Sequence, residues 1–408
     1  MSTFPGYIPE LPGIAIDRFD QPVRDRAKVF FLSHCHLDHM YGLAPNQPLP
    51  GTLYVSPHSA VIVGLRYPKQ TVYRMPIRER LNLSITAPTG ESKYELCVRT
   101  IPAEHCPGSV MFYFETQTVR LLYTGDFRLS TESMSVIEQD NIRPEIVYLD
   151  TTFLDREYAF FPTRQQSMDR IIELCSQWLD ADERNIVSLW PPATYGSEEL
   201  LHQLYTHLQQ RIHIFSSQRE TYNHFEILKD VFTDDPVRAR IHACNGKTLQ
   251  GEMSCRKMDA NTKYVLTVRP SARKWRNLQR DEPFWMESNK NLWFVCYSSH
   301  ASSSELVEFI RILQPEARDI RFNVVEDETD RTRKQQYLQA LLSPEDGSMD
   351  EEVNSESEEM YTLPYNDFST GASTTNERTT NEWPRSGSED ESDDASMTTP
   401  PIKMAKRC

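Results

Sequence analysis

The stretch Ser33-His34-Cys35-His36-Leu37-Asp38-His39 sets four potential metal ligands, His34, His36, Asp38 and His39, within six positions. It follows the apolar run Val29-Phe30-Phe31-Leu32, which reads as a buried strand, so the ligands leave the end of that strand together. Imidazole and carboxylate suit Zn²⁺. So many donors in one short loop exceed the needs of one tetrahedral ion and predict two adjacent ions. A polar loop with surface histidines is the plain alternative; that 3 of the chain's 11 histidines lie here beside an aspartate argues against it.

Outward from this loop the same arrangement recurs. Ile14-Ala15-Ile16 reads as a short strand ending in Asp17. The strand-like Leu96 to Ile101 leads to His105-Cys106-Pro107-Gly108-Ser109, a turn before the strand Val110-Met111-Phe112-Tyr113-Phe114. Leu121-Leu122-Tyr123-Thr124-Gly125 ends in Asp126, and Ile146-Val147-Tyr148-Leu149 in Asp150. Each aspartate alone reads equally as a turn residue or helix cap. Three strands delivering His105, Asp126 and Asp150 at their ends, after a ligand-dense loop, point to one shared site.

The 408 residues leave room for two compact units and a tail. A hydrophobic content of 38% and a mean hydropathy of -0.58 predict a polar, disordered portion. Ser343 to Cys408 holds 16 acidic and 5 basic residues, a net of -11, so only -4 of the chain's -15 falls on residues 1–342. The overall acidity therefore does not exclude a nucleic-acid partner for the folded part. No apolar run approaches the roughly 20 residues of a membrane span, and Met-Ser-Thr-Phe-Pro-Gly lacks a basic-then-apolar signal. An intracellular protein without a membrane partner is expected, whose eight scattered cysteines are free thiols or metal ligands.

The middle of the chain behaves as an insertion. Gln166 to Asp180 and Glu198 to Gln210 carry apolar residues at helical spacing, the second behind Ser197 as an N-cap. Strand-like Ile186 to Trp190, Arg211 to Phe215, Tyr264 to Val268 and Leu292 to Tyr297 alternate with them, which predicts an α/β sheet domain. Here His213, His242, Cys244 and Cys255 have the composition of a closed structural zinc site, although their spacing alone is a weak signal beside the common buried cysteine. Arg273, Lys274, Arg276 and Arg280 surround Trp275, a mix suited to neutralising phosphates while stacking a base; an exposed basic loop is the competing reading.

The motifs Ser33 to His39, His105 to Ser109, Thr124-Gly125-Asp126-Phe127-Arg128 and Tyr148-Leu149-Asp150-Thr151-Thr152-Phe153 resemble those of metallo-beta-lactamase-fold nucleases with a beta-CASP insertion, in particular the DNA cross-link repair group. The resemblance runs from about Ile14 to about Val325. It implies an α/β fold: an αββα sandwich from residues 1–155 and 296–342, a beta-CASP domain over 156–295 and a disordered acidic tail over 343–408. It implies one zinc on His34, His36 and His105, a second on Asp38 and His39, and Asp126 between them, giving one or two catalytic ions and one structural ion. Asp17 would orient a ligand from behind, Asp150 matches the first beta-CASP motif, and His300 matches the second and would complete the second ion's shell. Asp38, Asp126, Asp150 and His300 would carry catalysis. The inserted domain of one member of this group holds zinc on a similar His, His-x-Cys, Cys order, which strengthens the reading of His213, His242, Cys244 and Cys255.

The resemblance extends to the substrate. Members that process RNA carry histidine at the third motif and DNA-directed members valine; Val324 fits the second, although it also reads as a core strand residue. Ser298 resembles a residue of the pocket for a terminal phosphate. Relatives often carry lysines around the first motif, where this chain has Leu37 and Tyr41. The implied activity is endonuclease and 5′ to 3′ exonuclease cleavage of DNA ends or hairpins in double-strand break repair by non-homologous end joining, leaving a 5′-phosphate and a 3′-hydroxyl. The alternatives are a 5′ to 3′ exonuclease of cross-link or telomere processing, and a catalytically silent nucleic-acid scaffold, which the intact ligand set opposes. Implied partners are single-stranded, overhanging or hairpin DNA in the nucleus, and repair proteins such as the DNA-dependent protein kinase or a ligase complex. The tail lacks the Ser-Gln and Thr-Gln dipeptides through which that kinase would act.

Overall fold

Burial on both faces explains why the strand Val29–Leu32 is apolar throughout. Phe30 and Leu32 enter one core and Phe31 another, so neither face tolerates a polar side chain. The computed structural model describes residues 2–342 apart from 89, 91, 92, 194, 245–254 and 256–261; the expected acidic tail lies outside the described residues.

Val29–Leu32 sits in a four-stranded parallel sheet in the order Ile14–Ile16, Val29–Leu32, Leu53–Val55, Val72–Arg74. A six-stranded sheet packs against it, in the order Ile320–Phe322, Ile146–Leu149, Arg120–Tyr123, Val110–Glu115, Lys93–Pro102, Arg80–Thr86. The first three strands are parallel and the rest antiparallel. Between the sheets lies an aromatic layer in which the Phe31 ring meets Tyr54, Phe112 and Phe114 at 5.1 to 5.2 Å. Alternate residues of the same strands, Met111, Tyr113, Leu122 and Leu149, face outward onto the helices Thr131–Gln139, Ser303–Leu313 and Glu328–Leu342. Helix Pro57–Arg66 covers the far face of the smaller sheet. The result is the expected α/β architecture with two sheets sandwiched between helices.

A third sheet takes all its strands from residues 186–295, in the order Phe232–Thr233, Ile212–His213, Ile241–His242, Ile186–Leu189, Val265–Pro270, Leu292–Val295, Trp285–Asn289, parallel except for the last. The expected helices appear as Arg164–Ala181 and Glu198–Leu208. One local expectation fails: Ser197 stands before the second helix, but its hydroxyl caps nothing, and the Glu198 carboxylate instead accepts Gly196 N at 2.6 Å.

Candidate metal centre

Strand ends converge on one point. The loop after Leu32 brings in His34, His36, Asp38 and His39; the turn after Pro102 brings His105, and the ends of Arg120–Tyr123 and Ile146–Leu149 bring Asp126 and Asp150. Gly125 makes the close approach possible. Its φ is +54°, and a Cβ there would lie 2.7 Å from Ser33 Oγ.

His34 Nε2 lies 3.1 Å from His36 Nδ1, and His105 Nε2 lies 3.0 Å from the same atom. Asp126 Oδ2 is 3.7 Å from both His34 Nε2 and His105 Nε2. A tetrahedral ion with bonds of ~2.0–2.1 Å to nitrogen separates its ligand atoms by about 3.3 Å, so this quartet fits a metal ion. Burial, reinforced by the neighbouring imidazoles, pushes His34 and His105 well below the ordinary histidine pKa, and burial also lowers His36. Neutral imidazoles are what a metal requires.

Asp126 also reaches the other half of the site. His39 Nε2 is 3.2 Å from Asp126 Oδ2 and 3.7 Å from Asp38 Oδ2, yet this buried atom has no aligned hydrogen bond. Burial acts to discharge His39, but the carboxylates of Asp126 and Asp17 overcome it and hold its pKa well above the ordinary value. The same carboxylates would attract a second metal ion, which would take the place of the His39 Nε2 proton. His300 stands beside Asp150, Nδ1 to Oδ2 at 2.8 Å, and within ligand range of Asp126. Burial opposes charge on His300, and Asp150 more than offsets it.

The outer atoms of the ligands are also held. Asp17 Oδ2 accepts from His39 Nδ1 at 2.9 Å and from Tyr123 Oη at 3.0 Å, while Oδ1 accepts Ser33 N at 2.7 Å. His105 Nδ1 meets Ser299 O at 2.9 Å, His36 Nε2 meets Tyr195 O at 2.8 Å, and Ser2 N donates to Asp38 Oδ2 at 2.9 Å. Sequence reasoning missed these last three partners, because backbone groups carry no residue signature. Behind Tyr195, the buried Glu198 accepts from Gly196 N and from Tyr222 Oη at 2.8 Å, tying the loop that touches His36 to helix Ser216–Tyr222.

A second cluster gathers His213, His242, Cys244 and Cys255. His213 Nδ1 lies 3.2 Å from Cys244 Sγ, and Cys255 Sγ lies 3.3 Å from His242 Nδ1. Hydrogen bonds from Cys244, His213 and His242 favour the Cys255 thiolate. All seven cysteines among the described residues are free.

The residues expected to grip substrate fare differently. Trp275 is only 8% exposed and packs with Phe153, Phe161, Leu278 and Cys296, so it is a core residue and offers no face to a base; this corrects the sequence reading. Arg276 pairs with Glu157 at 3.3 Å, Lys274 lies 4.1 Å from the centre of the Phe294 ring, and Arg273 shares this segment, its backbone O accepting from Tyr158 Oη. The Ser298 hydroxyl turns inward, donating to His300 O at 2.7 Å rather than facing a phosphate. Val324 is locked to Thr151, whose Oγ1 donates to Val324 O at 2.6 Å beside Asp150.

Residues 226–320 match the family described as DNA repair metallo-beta-lactamase. The chain is 31% identical over 339 residues to protein artemis of Homo sapiens and 32% identical over 340 residues to that of Rattus norvegicus, covering 77% of this chain and 48% of each relative. It is 33% identical over 319 residues to the 5′ exonuclease Apollo of Rattus norvegicus, covering 76% of this chain and 53% of that protein. The chain thus spans about half the length of the curated relatives it matches. Among the described residues no helix is long and apolar enough to cross a membrane.

Proposed function

We propose that this chain, which belongs to the Artemis-like metallo-beta-lactamase and beta-CASP group, is a zinc-dependent DNA nuclease. The supporting observation is the convergence of His34, His36, His105 and Asp126 on one point, with His39 3.2 Å from the Asp126 carboxylate, His300 within ligand range of it and Asp38 3.7 Å from His39. In this reading His34, His36 and His105 would hold one zinc, Asp38, His39 and His300 would hold another, and Asp126 would serve both. Residues 1–155 and 296–342 form the catalytic part and 156–295 the insertion. Zinc bound there supplies a water acidified towards pKa ~7 and neutralises charge on phosphoryl oxygens.

The protein's own groups do the positioning. Asp17 fixes the tautomer of His39 so that Nε2 faces the site, and Tyr195 O does the same for Nδ1 of His36. Asp150 holds His300 by Nδ1, which leaves Nε2 for the phosphate or a metal. Val324 borders the site beside Asp150, whereas the buried Ser298 hydroxyl stays on the His300 backbone. The reading extends to DNA ends and hairpins in nuclear double-strand break repair, with repair-complex proteins as partners. The likeness to a 5′ exonuclease favours exonuclease cleavage as the second reading.

The test is incubation of purified protein with labelled hairpin, 5′-overhang, single-stranded and RNA substrates, with and without chelator. Chelator-sensitive cleavage of DNA but not RNA, leaving 5′-phosphates, is expected. Binding without hydrolysis by metal-loaded protein would support the silent scaffold instead.

A further inference from the structure

The ligand loop is one helical turn, with His39 N and Met40 N donating to His36 O at 3.2 and 3.1 Å. His39 and Met40 turn inward and are buried. Leu37 and Tyr41, four residues apart on this turn, remain 47% and 58% exposed. A lone exposed leucine is ordinary; here two large side chains are exposed on the loop that carries the ligand cluster. Tyr41 is also held in place. Phe19 N donates to Tyr41 O at 2.7 Å, and at Gly42, φ +92°, an added Cβ would lie 2.2 Å from the Phe19 carbonyl carbon. The Arg18 guanidinium sits 5.2 Å from the Tyr41 ring centre and is itself paired with Asp20 at 2.9 Å.

We propose that Leu37 and Tyr41, backed by Arg18, form a ledge on which an unpaired nucleobase next to the scissile phosphate stacks. The inference rests on the nuclease reading above. Leu37 lies between His36 and Asp38, and nucleotides follow one another at about 3.4 Å along a stacked strand, so a phosphate at the ligands brings its neighbouring base to this ledge. A nucleobase matches two side chains in size, whereas a protein partner would need about 800 Å² of surface on each side. A base already paired and stacked within a duplex gains nothing here, so the ledge selects single strands, overhangs and hairpin tips. It also supplies, by stacking, grip that involves no release of counterions.

The experiment first maps the cleavage position on a single-stranded oligodeoxynucleotide with the full chain loaded with zinc. The same strand is then made with an uncleavable methylphosphonate at that linkage and 2-aminopurine as the flanking base. The wild-type protein should quench the 2-aminopurine on binding. Tyr41→Ala should abolish the quench and weaken binding about 5- to 150-fold, the equivalent of ~1–3 kcal/mol per stacked base, with an unchanged dependence of affinity on salt. Tyr41→Phe should keep both quench and affinity, which separates stacking from a loss of folding. If wild type binds and cuts DNA while Tyr41→Ala quenches and binds within twofold of it, the ledge is refuted and the nuclease reading stands. If wild type neither binds nor cuts DNA, the nuclease reading falls and the ledge with it.

Discussion

A histidine that has given Nε2 to a carbonyl oxygen can offer only Nδ1 to a metal, and His36 is in that position between Tyr195 O and the cluster of His34 and His105. Removing that imidazole deletes a corner of the quartet. His36→Ala should therefore abolish hydrolysis and lower the zinc content of the purified protein. Asp38→Ala should abolish hydrolysis but keep DNA affinity within a fewfold, because a carboxylate contributes no attraction to a polyanion. Cleavage by either variant in a preparation of verified metal content would contradict these roles. In the second cluster Cys244→Ser should lower Tm and remove one zinc per chain, because a closed site of two thiolates and two imidazoles contributes folding energy. An unchanged metal count by mass spectrometry would refute the structural zinc.

At the scale of elements, the loop 195–197 links the start of helix Glu198–Leu208 to the metal centre, and Glu198 is the peg that holds it. Glu198→Ala would take the acceptor away from Gly196 N and Tyr222 Oη, costing about 1–3 kcal/mol. It would also free the Tyr195 carbonyl, so zinc affinity should fall about 10- to 100-fold, as expected when a hydrogen-bond partner behind a ligand is lost. A competing-chelator titration reads this directly, and unchanged affinity would show that the loop holds itself. Burial raises the Glu198 pKa despite the hydrogen bonds from Tyr222 and Gly196. The folded protein thus holds this proton more tightly than the unfolded chain, and the associated stability is lost as pH rises from the ordinary glutamate range through the folded pKa. Glu198→Gln should flatten the decline of Tm over that window, and parallel profiles for the two proteins would contradict it.

Over the whole molecule, what was legible in the sequence was what side chains at strand ends declare. His34 to His39, Asp126 and Asp150 each follow an apolar run that is buried on both faces, and His105 follows the strand Lys93–Pro102, which alternates buried with more exposed residues, so local pattern located them before any contact was known. Illegible were the contacts made by backbone or across the insertion: Tyr195 O, Ser299 O and Ser2 N have no residue-type signature. Trp275 misled because a basic neighbourhood says nothing about burial, and the ring packs beneath Phe153 and Phe161 while the charges around it stay at the surface. Ser197 misled because the next residue, Glu198, took the role of accepting the loop's N–H.

Every catalytic role proposed above requires two neighbouring ions in the cage formed by these strand ends. Anomalous X-ray scattering from crystals of the zinc-loaded protein, recorded on both sides of the zinc edge, tests it most directly. The account predicts two peaks about 3.5–4 Å apart, one among His34, His36 and His105 and the other beside His39 and His300, with Asp126 between them. A single peak, or none among His34, His36 and His105, in fully loaded protein would refute it.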